Sequence, residues 1–301
     1  MSNNDFPKSK AKVLGMKTIM ADFNHVRARV EPVDYVYTRK NGQNLHVRLI
    51  YPDQGDDTRV YPLVVHIQGS GWFKQNLYDH MYDFQDIVTS GYILAIVEYL
   101  PIPGPTFPSH VEDAKTAVRY LAKHAKELRI DLNNLFVSGD SSGGHTALMC
   151  WATWNSQQLD AEPSEPLPEV KAFINYYGVA DFTSIADYAS TVPHDSPSSP
   201  ENLLLGDFLT LNDREKALRA SVRYYLKKET DYAPLLIMHG NKDRIVPFEQ
   251  SVELQTYCQE LGLDTSFYCI DEADHGGPAF YHEDTLNIII DFLKKHTQTN
   301  R

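Results

Sequence analysis

The chain of 301 residues is poor in cysteine, in basic charge and in long apolar runs. Its three cysteines, Cys150, Cys258 and Cys269, form no Cys-x-x-Cys spacing, so we expect buried free thiols rather than a disulfide framework or a zinc site. There are 28 basic and 40 acidic residues, and the net charge of -12 disfavours nucleic acid and anionic membranes as partners. No run reaches the roughly 18 apolar residues that a membrane-spanning helix needs.

The N-terminal residues 1–20 are polar and basic and lack the apolar segment of a secretion signal. We therefore expect a cytoplasmic protein. Hydrophobic residues make up 42% and charged residues 23% of the chain, which is typical of a globular protein. The length suits one domain with a single core. We predict an N-terminal arm over residues 1–30 and one domain over residues 31–301.

Two kinds of strand are predicted along the domain. Residues 33–38 and 45–51 partly alternate around Asn41-Gly42, which predicts an antiparallel hairpin. Short apolar runs typical of buried parallel strands follow at 63–67, 93–98, 135–138, 173–177 and 235–238, with a further strand at 266–270. Helical patterns occur at 111–128, 248–261 and 285–296. This alternation predicts an α/β fold with one mostly parallel, doubly wound sheet that begins with the hairpin.

The segment 181–232 is much longer than an ordinary connection between two strands. It contains Pro193, Pro197 and Pro200 and then an apolar, aromatic stretch. We interpret it as a cap excursion that covers the functional site. A surface insertion without a role is the alternative.

A nucleophile motif lies between a predicted strand and a predicted helix. Residues 139–143 read Gly-Asp-Ser-Ser-Gly, and only Ser141 has a glycine two positions before it and two after it. In G-x-S-x-G the serine occupies a sharp strand-to-helix turn that exposes its hydroxyl group above the sheet. For Ser142 the match fails, because the residue two positions before it is Asp140. We therefore predict Ser141 as a nucleophile, whereas a plain glycine-rich turn is the alternative.

A serine hydroxyl group needs a general base, and in this type of site the acid and then the histidine follow the serine along the chain. His275 lies in a glycine-containing loop after the strand at 266–270, and we prefer it as the base over His282. Asp243 follows the strand at 235–238, where a carboxylate can orient the histidine. Asp181 is the weaker alternative for this acid.

Acyl transfer also needs hydrogen-bond donors for the oxyanion that develops. One predicted donor is the backbone N–H of Ser142, which follows the nucleophile. The others are the amides of Gly69 and Ser70, in the loop Gln68-Gly69-Ser70-Gly71-Trp72 after the strand at 63–67. A glycine-rich turn without this role is again the alternative.

With these residues in view, the sequence resembles the α/β-hydrolase superfamily. It is similar to bacterial esterases of the feruloyl/acetyl-esterase-like and hormone-sensitive-lipase-like branches from about residue 30 to 297. The resembling stretches are 68–72, 107–108, 113–121, 139–143, 177–181 and 239–243. In the loop at 68–72 the family has His-Gly-Gly-Gly-Trp, so Gln68 and Ser70 depart from that pattern. The resemblance implies an α/β-hydrolase fold and no metal or organic cofactor.

The expected function is a serine hydrolase that cleaves small-molecule or carbohydrate esters with short or aromatic acyl groups. We place Trp72 and Phe73 at the substrate because they follow the oxyanion loop directly. Aromatic residues of the segment 181–232 are further candidates for the wall: Phe182, Tyr188, Phe208, Tyr224 and Tyr225. The rival hypotheses are a serine peptidase of the prolyl-oligopeptidase type and a non-catalytic ligand-binding protein on the same fold.

Overall fold

The structure, a computed structural model, describes residues 7–21, 25–54, 58–206 and 213–298. Nine strands in these ranges form one sheet: β1 (Arg27–Val30), β2 (Tyr35–Lys40), β3 (Gln43–Asp53), β4 (Tyr61–Ile67), β5 (Ile93–Val97), β6 (Ile130–Asp140), β7 (Ala172–Tyr176), β8 (Leu235–Gly240) and β9 (Thr265–Ile270). Their order is β1-β3-β5-β4-β6-β7-β8-β9, and β2 also pairs with β3. The strands from β5 onward are parallel, so their carboxyl ends share one edge of the sheet.

Seven α-helices are described: α1 (Gln85–Thr89), α2 (Ser109–Lys123), α3 (Ser141–Thr153), α4 (Pro200–Leu205), α5 (Arg214–Arg219), α6 (Glu249–Leu261) and α7 (Glu283–His296). Buried side chains of α2, α3 and α6 pack on one face of the sheet. Those of α1 and α7 pack on the other face. Because both faces are covered, strands such as β5 and β7 are buried at every position. The predicted doubly wound α/β fold is confirmed.

The antiparallel start of the sheet is also confirmed. Strands β2 and β3 meet at the pair Lys40 and Gln43, and both residues of the turn between them, Asn41 and Gly42, have positive φ. Strand β1 pairs with β3 and lies within the predicted arm, so the sheet begins earlier than we predicted. Four residues are too few for an alternating pattern to be recognised in the sequence. Residues 7–21 form no helix or strand and are exposed.

The long segment 181–232 forms short pieces of structure in its described parts, including the six-residue helices α4 and α5. Helix α4 begins at a serine cap, Ser199, and ends at Gly206 in a left-handed conformation. Of the three cysteines, Cys150 and Cys258 are buried free thiols, whereas Cys269 is exposed on the edge strand β9, contrary to our expectation. Within the described ranges, no helix has the length and apolar character needed to cross a membrane.

Candidate active site

Ser141 occupies a sharp turn between β6 and α3. Its φ is +51°, in the left-handed region, and strand β6 ends at the residue before it. The two glycines of the motif are required by close packing. A Cβ atom on Gly139 would lie 2.2 Å from the carbonyl oxygen of Gly143, and one on Gly143 would lie 2.0 Å from that of Ile67. Because both positions are glycine, the start of α3 can pack closely against β4 and β6. This packing holds Ser141 at the carboxyl edge of the sheet.

The structure brings Ser141, His275 and Asp243 together in one chain of hydrogen bonds. The distance from Ser141 Oγ to His275 Nε2 is 2.9 Å. On the other side of the ring, His275 Nδ1 lies 2.7 Å from Asp243 Oδ2. Because the carboxylate can only accept, Nδ1 carries the proton and Nε2 faces the serine as an acceptor. Ser141 and His275 are 134 positions apart in the sequence. They meet because strands β7, β8 and β9 follow β6 in the sheet and carry their loops at the same edge.

The carboxylate of Asp243 is buried and has four donors. Oδ1 accepts the backbone N–H groups of Ile245 and Val246 at 2.8 and 2.9 Å. Oδ2 accepts from His275 and, at 3.0 Å, from Nε2 of His239. Burial favours the neutral acid, but the hydrogen bonds from the two histidines outweigh it and lower the pKa of Asp243 to about 2. The group is therefore an anion at neutral pH.

Two loops that carry this site are tied to each other by Asp274. Its Oδ1 accepts the backbone N–H of His275 at 2.8 Å and that of Arg244 at 3.0 Å. Its Oδ2 pairs with Nε of Arg244 at 2.6 Å. The loop after β8, which holds Asp243, is thus joined to the loop after β9, which holds His275. The ring of Tyr177 packs edge-on against His275, with centroids 4.6 Å apart, and fixes the plane of the imidazole.

The loop after β4 differs in two respects from the predicted oxyanion loop. The N–H of Gly69 donates to Asp140 Oδ1 at 2.7 Å, so it is not available to an oxyanion, and this prediction is wrong. The N–H of Ser70 donates to Ser142 Oγ at 2.8 Å, so the prediction of this amide as a donor is wrong as well. Within the described residues, the backbone N–H groups of Gly71 and Ser142 have no protein acceptor. Gly71 lines the cleft beside Ser141, and sequence reasoning did not select it.

Three further side chains, His66, His80 and Asp140, meet under the nucleophile, and no sequence pattern pointed to them. Nε2 of His66 lies 3.1 Å from Asp140 Oδ1, and Nε2 of His80 lies 3.6 Å from Asp140 Oδ2. These are metal-ligand types of side chain, and their nitrogen and oxygen atoms lie within 4.8 Å of one another. Hydrogen bonds and ion pairing account for this proximity. Burial lowers the pKa of His66, which keeps that ring neutral.

Ser141 and His275 open into a cleft of about 760 Å³. Its lining includes the polar side chains of His80, Asp83 and Tyr281, together with Tyr177, Ile245 and Pro278. The lining therefore combines polar groups with aromatic and aliphatic ones. A cleft of this size accommodates a small ester together with part of a larger alcohol.

The predicted substrate contact of Trp72 is wrong. Its side chain is only 2% exposed and packs against His145 and Phe182 in the core. Phe73 is 39% exposed but is not among the residues that line the cleft. No described residue of the segment 181–232 lines it either, and Phe208 lies outside the described residues. The segment instead flanks the site, with Pro200 close to Gly71 and with His194 bonded to the carbonyl oxygen of Ile245.

The alternatives for base and acid are engaged elsewhere. The side chain of His282 is 68% exposed and accepts the N–H of Asp284 at the start of α7. The carboxylate of Asp181 accepts from Thr183 and Ser221 and pairs with Arg223.

The mostly parallel sheet, its antiparallel start and the serine on a strand-to-helix turn define the α/β-hydrolase fold. A family model described as BD-FAE matches residues 49–258 of the chain. The match covers more than half of the sequence, and the chain belongs to the BD-FAE family.

Among curated proteins, the chain is similar to a probable carboxylic ester hydrolase, LipM, of Mycobacterium tuberculosis, with 27% identity over 197 residues. This alignment covers 65% of the chain and 44% of LipM, and the chain spans about half the length of the first curated relatives it matches.

Among solved structures, a truncated carbohydrate esterase from gut microbiota has a TM-score of 0.76 and 22% identity, covering 92% of this chain and 98% of that one. Esterase B of Lactobacillus rhamnosis has a TM-score of 0.72 and 18% identity, covering 90% and 85%. At these identities the likeness is one of fold.

Proposed function

We propose that the protein hydrolyses carboxylic esters through an acyl-enzyme intermediate. His275 Nε2 takes the proton from Ser141 Oγ as this oxygen attacks the ester carbonyl carbon. The same nitrogen then returns the proton to the leaving alcohol, and the acyl group stays on Ser141. In the second half of the reaction, water gives a proton to His275 and attacks the acyl carbon. The bond from this carbon to Ser141 Oγ then breaks, His275 returns the proton to Oγ, and the carboxylic acid leaves. The ionised Asp243 holds the imidazole in the required tautomer and stabilises the imidazolium.

For the oxyanion we propose the backbone N–H groups of Ser142 and Gly71 as donors. Both lack a protein acceptor within the described residues, and Ser142 stands at the start of α3, where the helix leaves its first N–H groups unpaired. Such donors stabilise the charge that develops on the carbonyl oxygen in the transition state. Ser70 contributes by holding the loop, since its own N–H is bonded to Ser142 Oγ.

One observation carries this proposal: the continuous hydrogen bonds from Ser141 through His275 to Asp243, at 2.9 and 2.7 Å. A ligand-binding protein has no need of a serine on a strained turn that faces a base held by a buried carboxylate. The similarity to LipM, a probable carboxylic ester hydrolase, agrees with ester hydrolysis.

For the substrate we propose a short or aromatic acyl group on a small or carbohydrate alcohol. The side chains of His80, Asp83 and Tyr281 offer hydrogen-bond partners for hydroxyl groups of an alcohol. Tyr177 and Ile245, which also line the cleft, suit an acyl group. One structural neighbour is a carbohydrate esterase, which agrees with a carbohydrate alcohol.

The cytoplasmic location expected from the sequence stays a prediction, which fractionation of cells that produce the full-length protein would test.

The experiment is hydrolysis of p-nitrophenyl esters of increasing chain length, beside methyl ferulate and acetylated xylan. We expect turnover of p-nitrophenyl acetate and its block by a serine-directed phosphonate that labels Ser141. A protein that neither turns over any of these esters nor reacts with the phosphonate would contradict ester hydrolysis. A rate that rises steadily from acetate to laurate, without turnover of ferulate or acetylated xylan, would contradict the substrate class alone.

A further inference from the structure

The carboxylate of Asp140 is buried directly beside the nucleophile, yet it takes no part in the hydrogen bonds between Ser141, His275 and Asp243. Its side chain is only 8% exposed. Oδ1 accepts the backbone N–H of Gly69 at 2.7 Å and lies 3.1 Å from His66 Nε2, and Oδ2 faces His80. A buried anion is costly unless every lone pair finds a donor, so this arrangement needs an explanation.

The bond to Gly69 connects Asp140 with the loop that carries Ser70 and Gly71. The atoms around this hydrogen bond are closely packed. A Cβ atom on Gly69 would lie 2.5 Å from Asp140 Oδ2 and 2.9 Å from the Cβ atom of Ser141. A shift of the carboxylate therefore moves the loop relative to the nucleophile. Oxyanion donors act only when they are placed accurately, so such a shift reduces stabilisation of the transition state.

Two histidines face the carboxylate, one at each of its oxygen atoms. His66 is fully buried in β4, and its Nδ1 lies 3.0 Å from Ser138 Oγ. Because the carboxylate of Asp140 can only accept, the Nε2–H of His66 is the donor to it. His80 lines the cleft, and its Nδ1 lies 3.1 Å from Asp83 Oδ2 and 2.9 Å from the hydroxyl group of Tyr281. Burial opposes a charge on His80, but the carboxylates of Asp140 and Asp83 raise its pKa to about 9.

We propose that Asp140, held by His66 and His80, is a positioning residue for ester hydrolysis: it fixes the Gly69 amide and thereby the loop that carries the oxyanion donor Gly71. His80 is the cation that balances the charge of Asp140 close to the developing oxyanion. The inference rests on the proposed function, because its readout is ester turnover.

The experiment compares kcat and KM for p-nitrophenyl acetate in the wild type, Asp140→Ala and Asp140→Asn. For Asp140→Ala we expect kcat to fall by about 100-fold, as for loss of an oxyanion donor, with KM within about 3-fold. For Asp140→Asn we expect kcat within about 10-fold of the wild type, since the amide oxygen can accept the Gly69 N–H.

The pH dependence of kcat tests the charge of Asp140 separately from its positioning role. In the wild type we expect kcat to decline above about pH 9, as His80 loses its proton and Asp140 keeps an unbalanced charge. The groups that face His80 are His66, Asp83, Asp140 and Tyr281. Asp140→Asn has no carboxylate charge at this site, so its alkaline decline should be absent.

Asp113 offers a matched control. It is also a buried aspartate, accepts the N–H of Leu100 at 2.9 Å and pairs with Lys40 at 2.8 Å, but it does not line the cleft. We expect Asp113→Asn to lower the melting temperature without changing kcat, and melting curves of all variants would verify folding.

A folded Asp140→Ala with wild-type kcat, or an Asp113→Asn that loses as much kcat, would overturn the positioning role. If Asp140→Ala does not fold, an Asp140→Asn that keeps the alkaline decline overturns the role of the charge. Loss of wild-type activity in EDTA, restored by Zn²⁺, would instead make His66, His80 and Asp140 a metal site. A wild type that hydrolyses no ester refutes the proposed function itself, and this inference falls with it.

Discussion

His239 and His275 meet at one atom, Oδ2 of Asp243, to which their ring nitrogens lie at 3.0 and 2.7 Å. The other ring nitrogen of His239 is bonded to Ser251 Oγ at 2.7 Å, so this ring is itself fixed. His239 is fully buried at the end of β8. It therefore orients the carboxylate that in turn orients His275, although it lies outside the chain of bonds to Ser141.

We predict that His239→Ala lowers kcat by about 10-fold, which corresponds to about 1.4 kcal/mol, the scale of one hydrogen bond to a charged group. The loss stays modest because His275, Ile245 and Val246 still donate to Asp243. His239→Gln, whose amide group can donate to the same oxygen, should recover part of the rate with KM unchanged. Steady-state kinetics with p-nitrophenyl acetate would measure this, and a folded His239→Ala with full kcat would exclude the positioning role.

The elements that the sequence predicted correctly depend on local patterns. The apolar runs marked the parallel strands, and the glycine spacing marked the turn at Ser141, because both requirements arise within a few residues of chain. The boundaries were less accurate: the helix predicted over 111–128 ends at Lys123, and the short strand β1 was missed.

What the sequence did not reveal depends on contacts between distant segments. Asp140 and His66 are 74 residues apart and meet only because β4 and β6 are neighbours in the sheet. Trp72 follows the oxyanion loop, but its backbone adopts a positive φ of 60° and its side chain lies in the core. We predicted that this residue contacts the substrate from its position along the chain. The direction of its side chain, which no sequence pattern encodes, makes that prediction wrong.

A pair of buried histidines should make the folded state sensitive to acid. His110 and His145 stack with centroids 5.3 Å apart beneath Trp72, and both are buried. Burial lowers the pKa of His145 to about 4 and that of His110 well below its usual range. The unfolded chain binds protons at these groups near pH 6.5 and the folded one does not, so stability is full above that pH and declines below it.

From His145 alone we predict a loss of about 2 kcal/mol in the free energy of unfolding between pH 7 and pH 5. Asp243, with its pKa of about 2, remains ionised in this range and adds nothing to the loss. Urea unfolding at the two pH values would measure it. His145→Gln, which can still donate to the carbonyl oxygen of Ala220, is the control and should lose about 2 kcal/mol less than the wild type. Equal losses in both proteins would contradict the assignment.

The packing at the strand-to-helix turn predicts a strong effect of Gly143→Ala. The added Cβ atom would lie 2.0 Å from the carbonyl oxygen of Ile67, so β4 and α3 must separate. We expect at least about 3 kcal/mol of destabilisation, the upper range for overpacking. Gly262→Ala is the comparison, because it meets no atom within 4 Å and incurs only the strain of its positive φ, about 1 kcal/mol. Similar free energies of unfolding for both variants would argue against steric necessity at the turn.

The adjacent serines should differ sharply in their effect on the reaction. Ser141→Ala removes the oxygen that His275 faces, and we expect kcat to fall by about 10⁶-fold, with no labelling by a serine-directed phosphonate. Ser142→Ala keeps its backbone N–H but loses the hydroxyl group that accepts the Ser70 N–H at 2.8 Å and contacts the Tyr99 hydroxyl group at 3.1 Å.

For Ser142→Ala we therefore expect full phosphonate labelling and a fall in kcat of only about 10-fold, the scale of one lost hydrogen bond that holds a donor loop. The Ser70 amide, left without its acceptor, lets the loop move relative to the nucleophile, so kcat should change more than KM. Tyr99→Phe tests the same network one step further away, since it leaves the bond between Ser70 and Ser142 in place, and its kcat should stay closer to the wild type. If Ser142→Ala is the inactive variant and Ser141→Ala still turns over p-nitrophenyl acetate, the nucleophile is Ser142, and the hydrogen bond from Ser141 to His275 has no part in the reaction.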